Sequence, residues 1–123
     1  QRLLHTVLMT SPEEVLVEMA GGGTRSHQWE EETHFYFERG WLKLFTPSPL
    51  NRQGRGRVEI YHSEDSKSGE RREIIPPIGW AFQRQADHFI ECVRERKEPI
   101  SSGRDTIEDM RVMEEIFRKM ILV

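Results

Sequence analysis

The residues able to do chemistry are scattered along this chain rather than gathered in motifs. Three glycines, Gly21, Gly22 and Gly23, follow a stretch of strand character. A glycine-rich turn holds phosphate when its spacing is G-x-G-x-x-G, or when a lysine and a helix N-terminus come next. Neither condition is met, so the triplet reads as a flexible connection that ends a strand. Histidines stand at positions 5, 27, 34, 62 and 88 and form no HxxxH, HExxH or HxH pattern. His27 and His34 would meet beside Glu31 only if the sheet brought them together, and a metal site there is not expected. His88, next to Asp87 and Phe89, reads as a satisfied histidine at the surface or the edge of a core.

Carboxylates are abundant. Glu30, Glu31 and Glu32 run consecutively, and Glu108, Asp109, Glu114 and Glu115 lie near the C-terminus. A general acid–base pair needs burial or a close neighbour to split its pKa values, and nothing in the pattern marks these as buried. In a strand Glu30 and Glu32 share one face and Glu31 takes the other. Serines are frequent, but no GxSxG elbow is present. The single cysteine, Cys92, falls among apolar residues of a helical stretch, which favours a buried thiol over a nucleophile. Arg52, Arg55 and Arg57 surround two glycines and offer an anion contact, but the stretch reads first as a solvated loop. The sequence therefore nominates no catalytic, cofactor-binding or metal-ligating residue in this chain.

Bulk properties agree with that restraint. The sequence has 123 residues, 36% of them hydrophobic, 32% charged and 9% aromatic. That suits one domain, residues 1–123, with a modest core and some apolar surface left for a partner. A formal charge of -3 gives no basic bias toward a phosphate backbone, so nucleic acid is not an expected partner. No apolar run approaches the length of a membrane span, and no membrane partner is expected. One cysteine excludes an intrachain disulfide, and a reducing, cytoplasmic setting is the expectation. The sequence opens on Gln1 with Leu3 and Leu4 close behind, so the domain is expected to begin upstream.

The elements that must position these residues follow from periodicity. Leu3–Met9 and Glu14–Met19 read as strands. In Glu30–Glu38, Thr33, Phe35 and Phe37 alternate with His34, Tyr36 and Glu38. Glu38-Arg-Gly40 reads as a hairpin turn, with Gly40 free to take positive φ. Trp41–Phe45 returns, with Leu42 and Leu44 on one face and Trp41 and Phe45 on the other. Arg57–His62 and Arg71–Ile75 complete the sheet, with Ser63–Gly69 an exposed turn between them. Phe82, Ala86, Phe89, Ile90 and Val93 recur at helical spacing, and Phe82, Phe89 and Val93 are expected to be buried. After Glu98-Pro99, Ser102 and Asp105 have capping-box spacing. Ile107, Met110, Met113, Phe117, Met120 and Ile121 then form a second apolar stripe, in which the methionines read as core filler. The expected fold class is α+β: a mostly antiparallel sheet packed on one face by helices, with two amphipathic helices at the C-terminus.

The stretch from Trp80 to Phe117 resembles the end of the glucose-fructose oxidoreductase / inositol dehydrogenase / MocA family of NAD(P)-dependent dehydrogenases. The matching residues are Phe89, Glu98, Pro99, Ser102, Gly103, Asp105, Val112, Glu114 and Ile116. The hairpin Glu31–Phe45, with Gly40 in its turn and Pro47 after it, is similar to the family's sheet. The likeness covers roughly residues 14–120. It implies the C-terminal α+β domain, or part of it, of a two-domain enzyme whose Rossmann domain is not in this chain. The whole enzyme would use NAD or NADP to move hydride to or from a sugar, polyol or related alcohol. This part would wall the substrate side and make a homo-oligomer through its sheet. The family's Glu-Lys-Pro motif and its Asp-x-x-x-His pattern are both missing here. No family catalytic residue therefore carries over, no cofactor site is implied within the chain, and the chain alone is expected to be inactive. The alternative is a stand-alone structural or interaction domain that dimerises through the same sheet.

Overall fold

The computed structural model describes residues 5–12, 14–23, 29–65 and 68–119. The chain is α+β. Six strands come first: β1 (His5–Thr10), β2 (Leu16–Gly23), β3 (Trp29–Phe37), β4 (Gly40–Phe45), β5 (Arg57–Asp65) and β6 (Ser68–Ile74). Two helices follow, α1 (Ala81–Glu95) and α2 (Gly103–Lys119). The strands form one sheet in sequence order, β1-β2-β3-β4-β5-β6, and every adjacent pair is antiparallel. The fold divides into two compact units, Gln1–Ala81 and Phe82–Val123, which are described separately.

Alternation along the strands sorts the sheet into two unlike faces, because directly paired residues lie on the same side. Two rows run across one face. Met9, Val17, Phe35, Leu42, Ile60 and Arg72 are register partners in succession, and so are Val7, Met19, Thr33, Leu44, Val58 and Ile74. The other face carries the row Thr10, Leu16, Tyr36, Trp41, Tyr61, Arg71 and the row Leu8, Glu18, His34, Lys43, Glu59, Glu73. The centre of one face is thus nearly all aliphatic and aromatic, with Glu31, His62, Glu70 and Arg72 toward its margins, while the other face mixes charges with aromatic rings.

Several local expectations are corrected. The triple glycine does not end β2. It continues the strand, with Gly21, Gly22 and Gly23 paired to Glu31, Glu30 and Trp29, and Gly22 takes a φ of 148° that only glycine adopts readily. Gly40 needs no positive φ. It opens β4, and a Cβ placed there would strike the Tyr61 carbonyl oxygen, so close backbone approach is what requires glycine. The positive φ values at non-glycine residues fall elsewhere, at Glu14 (62°) and Arg96 (54°). The stretch expected to be an exposed turn between the last two strands is mostly strand: β5 runs to Asp65 and β6 begins at Ser68. Serine and charged residues signal exposure, and an edge hairpin satisfies that signal as well as a loop does.

The segment between β4 and β5 is pinned. The Trp80 indole N–H donates to the Pro49 carbonyl at 3.0 Å, and the Arg52 guanidinium lies 4.8 Å above the Trp80 ring. Gly54 is buried, and a Cβ there would meet the Pro47 side chain at 2.6 Å.

In the helical unit, α1 ends in a Schellman turn: Arg96 is left-handed and the Lys97 N–H donates to the Cys92 carbonyl at 3.0 Å. The α2 N-terminus is capped as its sequence predicts, with the Asp105 N–H donating to Ser102 Oγ at 3.2 Å. Phe82, Phe89 and Val93 are not buried. Their exposures are 48%, 59% and 62%, and Cys92 is the buried residue of α1. Helical periodicity fixes which side chains share a face, but not whether that face is covered. Met120 and Ile121, at the end of the second stripe, lie outside the described residues.

Candidate functional site

Among the described residues, the charged and aromatic face of the sheet holds a connected set of polar contacts, and β3 supplies its centre. Glu32, His34 and Tyr36 sit at every second position, so a single strand points all three the same way. β2 places Glu18 directly opposite His34. The Tyr36 hydroxyl donates to Glu18 Oε2 at 3.2 Å. His34 lies beside this bond, with Nδ1 3.3 Å from the Tyr36 oxygen and 3.6 Å from Glu18 Oε2. Its Nε2 faces Glu32 Oε2 at 3.0 Å. The imidazole side chain is only 16% exposed, and the Phe45 ring meets it edge-on at 6.1 Å between centroids. Partial burial, with the Glu18 hydrogen bond and charge adding to it, holds the Tyr36 hydroxyl above its ordinary pKa. Tyr36 is therefore a neutral donor at physiological pH.

A second cluster adjoins the first on the same face. Glu59 is 7% exposed, and Arg71 reaches its Oε2 at 2.8 Å while Arg57 Nε lies 3.4 Å from Oε1. Two guanidinium groups beside one carboxylate satisfy its buried charge. Arg57 also sits 3.9 Å above the Phe45 ring. Trp41 and Tyr61 stack with centroids 5.8 Å apart and planes 19° from parallel, and Lys43 Nζ lies 4.9 Å from the Trp41 ring centroid. The face offers hydroxyl, imidazole, carboxylate and ammonium groups beside aromatic rings.

The residues nominated by sequence do not converge. Glu31 lies on the opposite face from His34 and accepts from the Trp29 indole at 3.1 Å. His27 lies outside the described residues, and so does the proposed meeting with His34; of His5, only its place in β1 is described. His62 is exposed on β5. Of the loop arginines, Arg52 covers Trp80 and Arg57 pairs with Glu59, so both serve the fold. Glu108, Glu114 and Glu115 pair along α2 with Arg111, Arg118 and Lys119, the ordinary state of an exposed helix surface. Among the described residues no group of three or more His, Cys, Asp or Glu side chains can hold a metal ion. No described helix is long and apolar enough to cross a membrane.

His88 has a specific partner that spacing alone did not reveal. Its Nε2 accepts the Ile100 N–H at 3.1 Å and lies 3.5 Å from Cys92 Sγ. The imidazole thereby ties the α1–α2 connection back onto α1. Sequence reasoning had the alternation of Glu32, His34 and Tyr36 available, but Glu18 joins them only through the β2–β3 register, which composition does not set.

Comparison with protein-family models, with curated proteins and with solved structures gives no match.

Proposed function

We propose that this chain is the substrate-side and oligomerisation domain of an NAD(P)-dependent oxidoreductase acting on sugars or polyols. The observation that carries the reading is the order and character of its parts. A sheet with one hydrogen-bonding, aromatic face and one apolar face precedes a helix, a Glu98-Pro99 connection and a Ser102-capped second helix. That order agrees with the resemblance of residues 14–120 to the glucose-fructose oxidoreductase / inositol dehydrogenase / MocA family. The Glu18–His34–Tyr36 array would supply hydrogen bonds to substrate hydroxyls. Hydride transfer would belong to the nicotinamide and to a dinucleotide-binding domain outside this chain.

The test uses the complete gene product that contains this chain. It should encode a strand, a G-x-G-x-x-G turn and a helix upstream, and should reduce NAD or NADP in the presence of one member of a sugar and polyol panel. A complete product with neither the dinucleotide segment nor turnover overturns the reading. The apolar sheet face also supports a second reading, a stand-alone domain whose work is association. A dimeric product without hydride transfer would favour that one.

A further inference from the structure

Strands β2 and β3 set three polar atoms in a triangle. The Tyr36 hydroxyl oxygen lies 3.2 Å from Glu18 Oε2 and 3.3 Å from His34 Nδ1, and Nδ1 lies 3.6 Å from the same Glu18 oxygen. The other ring nitrogen of His34, Nε2, faces Glu32 Oε2 at 3.0 Å. Each contact needs a proton between its two atoms, so the proton count decides which form of the imidazole fits. The carboxylates have none to give, and the phenol spends its single proton on Glu18. With a proton on Nε2 alone, Glu32 is satisfied, but the Nδ1 lone pair faces a hydroxyl whose proton points at Glu18. With a proton on Nδ1 alone, the Nε2 lone pair faces the Glu32 carboxylate, acceptor to acceptor. The imidazolium has N–H on both sides and satisfies every contact.

We propose that protonation of His34 decides the partner of the Tyr36 hydroxyl, which makes the Glu18–Tyr36–His34–Glu32 cluster a pH-sensitive clasp across the β2–β3 boundary. In the charged form, Nδ1–H and the phenol both sit against Glu18 while Nε2–H holds Glu32. Side chains then tie β2 to β3 in addition to the ladder. When the imidazole loses a proton to solvent, it leaves from Nδ1, because the Nε2 proton is held by Glu32. The phenol turns its O–H to the Nδ1 lone pair, and Glu18 loses that donor. The clasp operates within the sheet and goes beyond the oxidoreductase reading, since it needs neither substrate nor nicotinamide.

The neighbouring strands supply the remaining charges. Leu8 of β1 is the register partner of Glu18 and brings none. Lys43 of β4 is the register partner of His34, and its ammonium, 4.9 Å from the Trp41 ring centroid, opposes a second positive charge in the same row. Glu59 of β5, beyond Lys43, is matched by Arg71 and Arg57, and Arg57 lies over the Phe45 ring that meets His34 edge-on. Two carboxylates thus face the imidazole and one ammonium stands against them. Burial, then the Glu18 bond and charge, hold the Tyr36 hydroxyl above its ordinary pKa, so the phenol keeps the proton that it redirects.

Nuclear magnetic resonance on the 123-residue chain reads both groups. Between about pH 8 and pH 5, where histidines change charge, the His34 ring nitrogens should pass from the Nε2–H tautomer to the imidazolium. The hydroxyl-bearing ring carbon of Tyr36 should shift with the same midpoint. In His34→Gln that tyrosine shift should vanish over this range while circular dichroism matches the parent. A Tyr36 resonance that stays flat through the His34 titration overturns the proposal, as does a neutral His34 with its proton on Nδ1. So does a tyrosine shift that survives His34→Gln, which would assign the titration to Glu18. The first two outcomes need only the parent chain and stand even if the variant loses its fold.

Discussion

Tyr36 and Glu18, eighteen positions apart in sequence, share one hydrogen bond across the β2–β3 boundary, with the phenol donating to Oε2 at 3.2 Å. Burial and this bond both hold the phenol above its ordinary pKa. The linkage follows from the sign. A raised folded-state pKa means that the neutral phenol is favoured by folding. Its contribution is whole below the unfolded tyrosine value, about 10, and is lost as pH rises through the folded value. A tyrosinate absorbance titration should therefore show a late component that disappears in Tyr36→Phe. A variant with the same titration curve as the parent would refute the assignment.

Ser102→Ala removes the side-chain acceptor for the Asp105 N–H and should cost about 1 kcal/mol. Urea denaturation followed by helical circular dichroism is the check. The midpoint should fall with an unchanged slope, and an unmoved midpoint would mean that α2 holds its first turn without this cap.

Gly40→Ala should destabilise the sheet by roughly 1–3 kcal/mol, because the new methyl group would press on the Tyr61 carbonyl and neither backbone can easily give way. A control at Gly103, where a Cβ meets nothing within 4 Å, should be tolerated and should favour the helix slightly. Equal effects at the two sites would contradict the geometry.

His88→Ala leaves the Ile100 N–H without its imidazole acceptor. Loss of such a bond at a partly exposed site should cost about 1 kcal/mol or less. The sharper readout is hydrogen exchange, which should speed up at Ile100 while the amides in the middle of α2 keep their protection. Uniform acceleration across α2 would point to a general loss of helix rather than a local tie.

Alternation was the most legible feature of the fold. Phe35 and Phe37 opposed to His34 and Tyr36, and Leu42 and Leu44 opposed to Trp41, already describe the two faces, since a strand has only two sides. Where the strands end was less legible. Gly21–Gly23 and Ser63–Asp65 have low strand propensity, but their neighbours hold them in the ladder, so pairing overrides local preference. Burial was the least legible. The spacing of Phe82, Phe89 and Val93 defines a helical stripe correctly, yet all three are exposed. The polar cluster was half visible: β3 shows three of its members, and Glu18 enters only when Leu16 aligns with Tyr36 and Glu18 with His34.

The sheet order matches the chain order, and this has a kinetic meaning. Among the described residues, every strand pairs only with the strand just before or just after it. No ladder waits for a distant segment to arrive, so loop-closure entropy is spent in small steps and the sheet can zip from any of its hairpins. The same arrangement makes β1 dispensable in a way an inner strand is not. Among the described residues its only ladder is with β2, so a chain shortened past Thr10 loses one margin of the sheet while the pairings from β2 to β6 keep their registers.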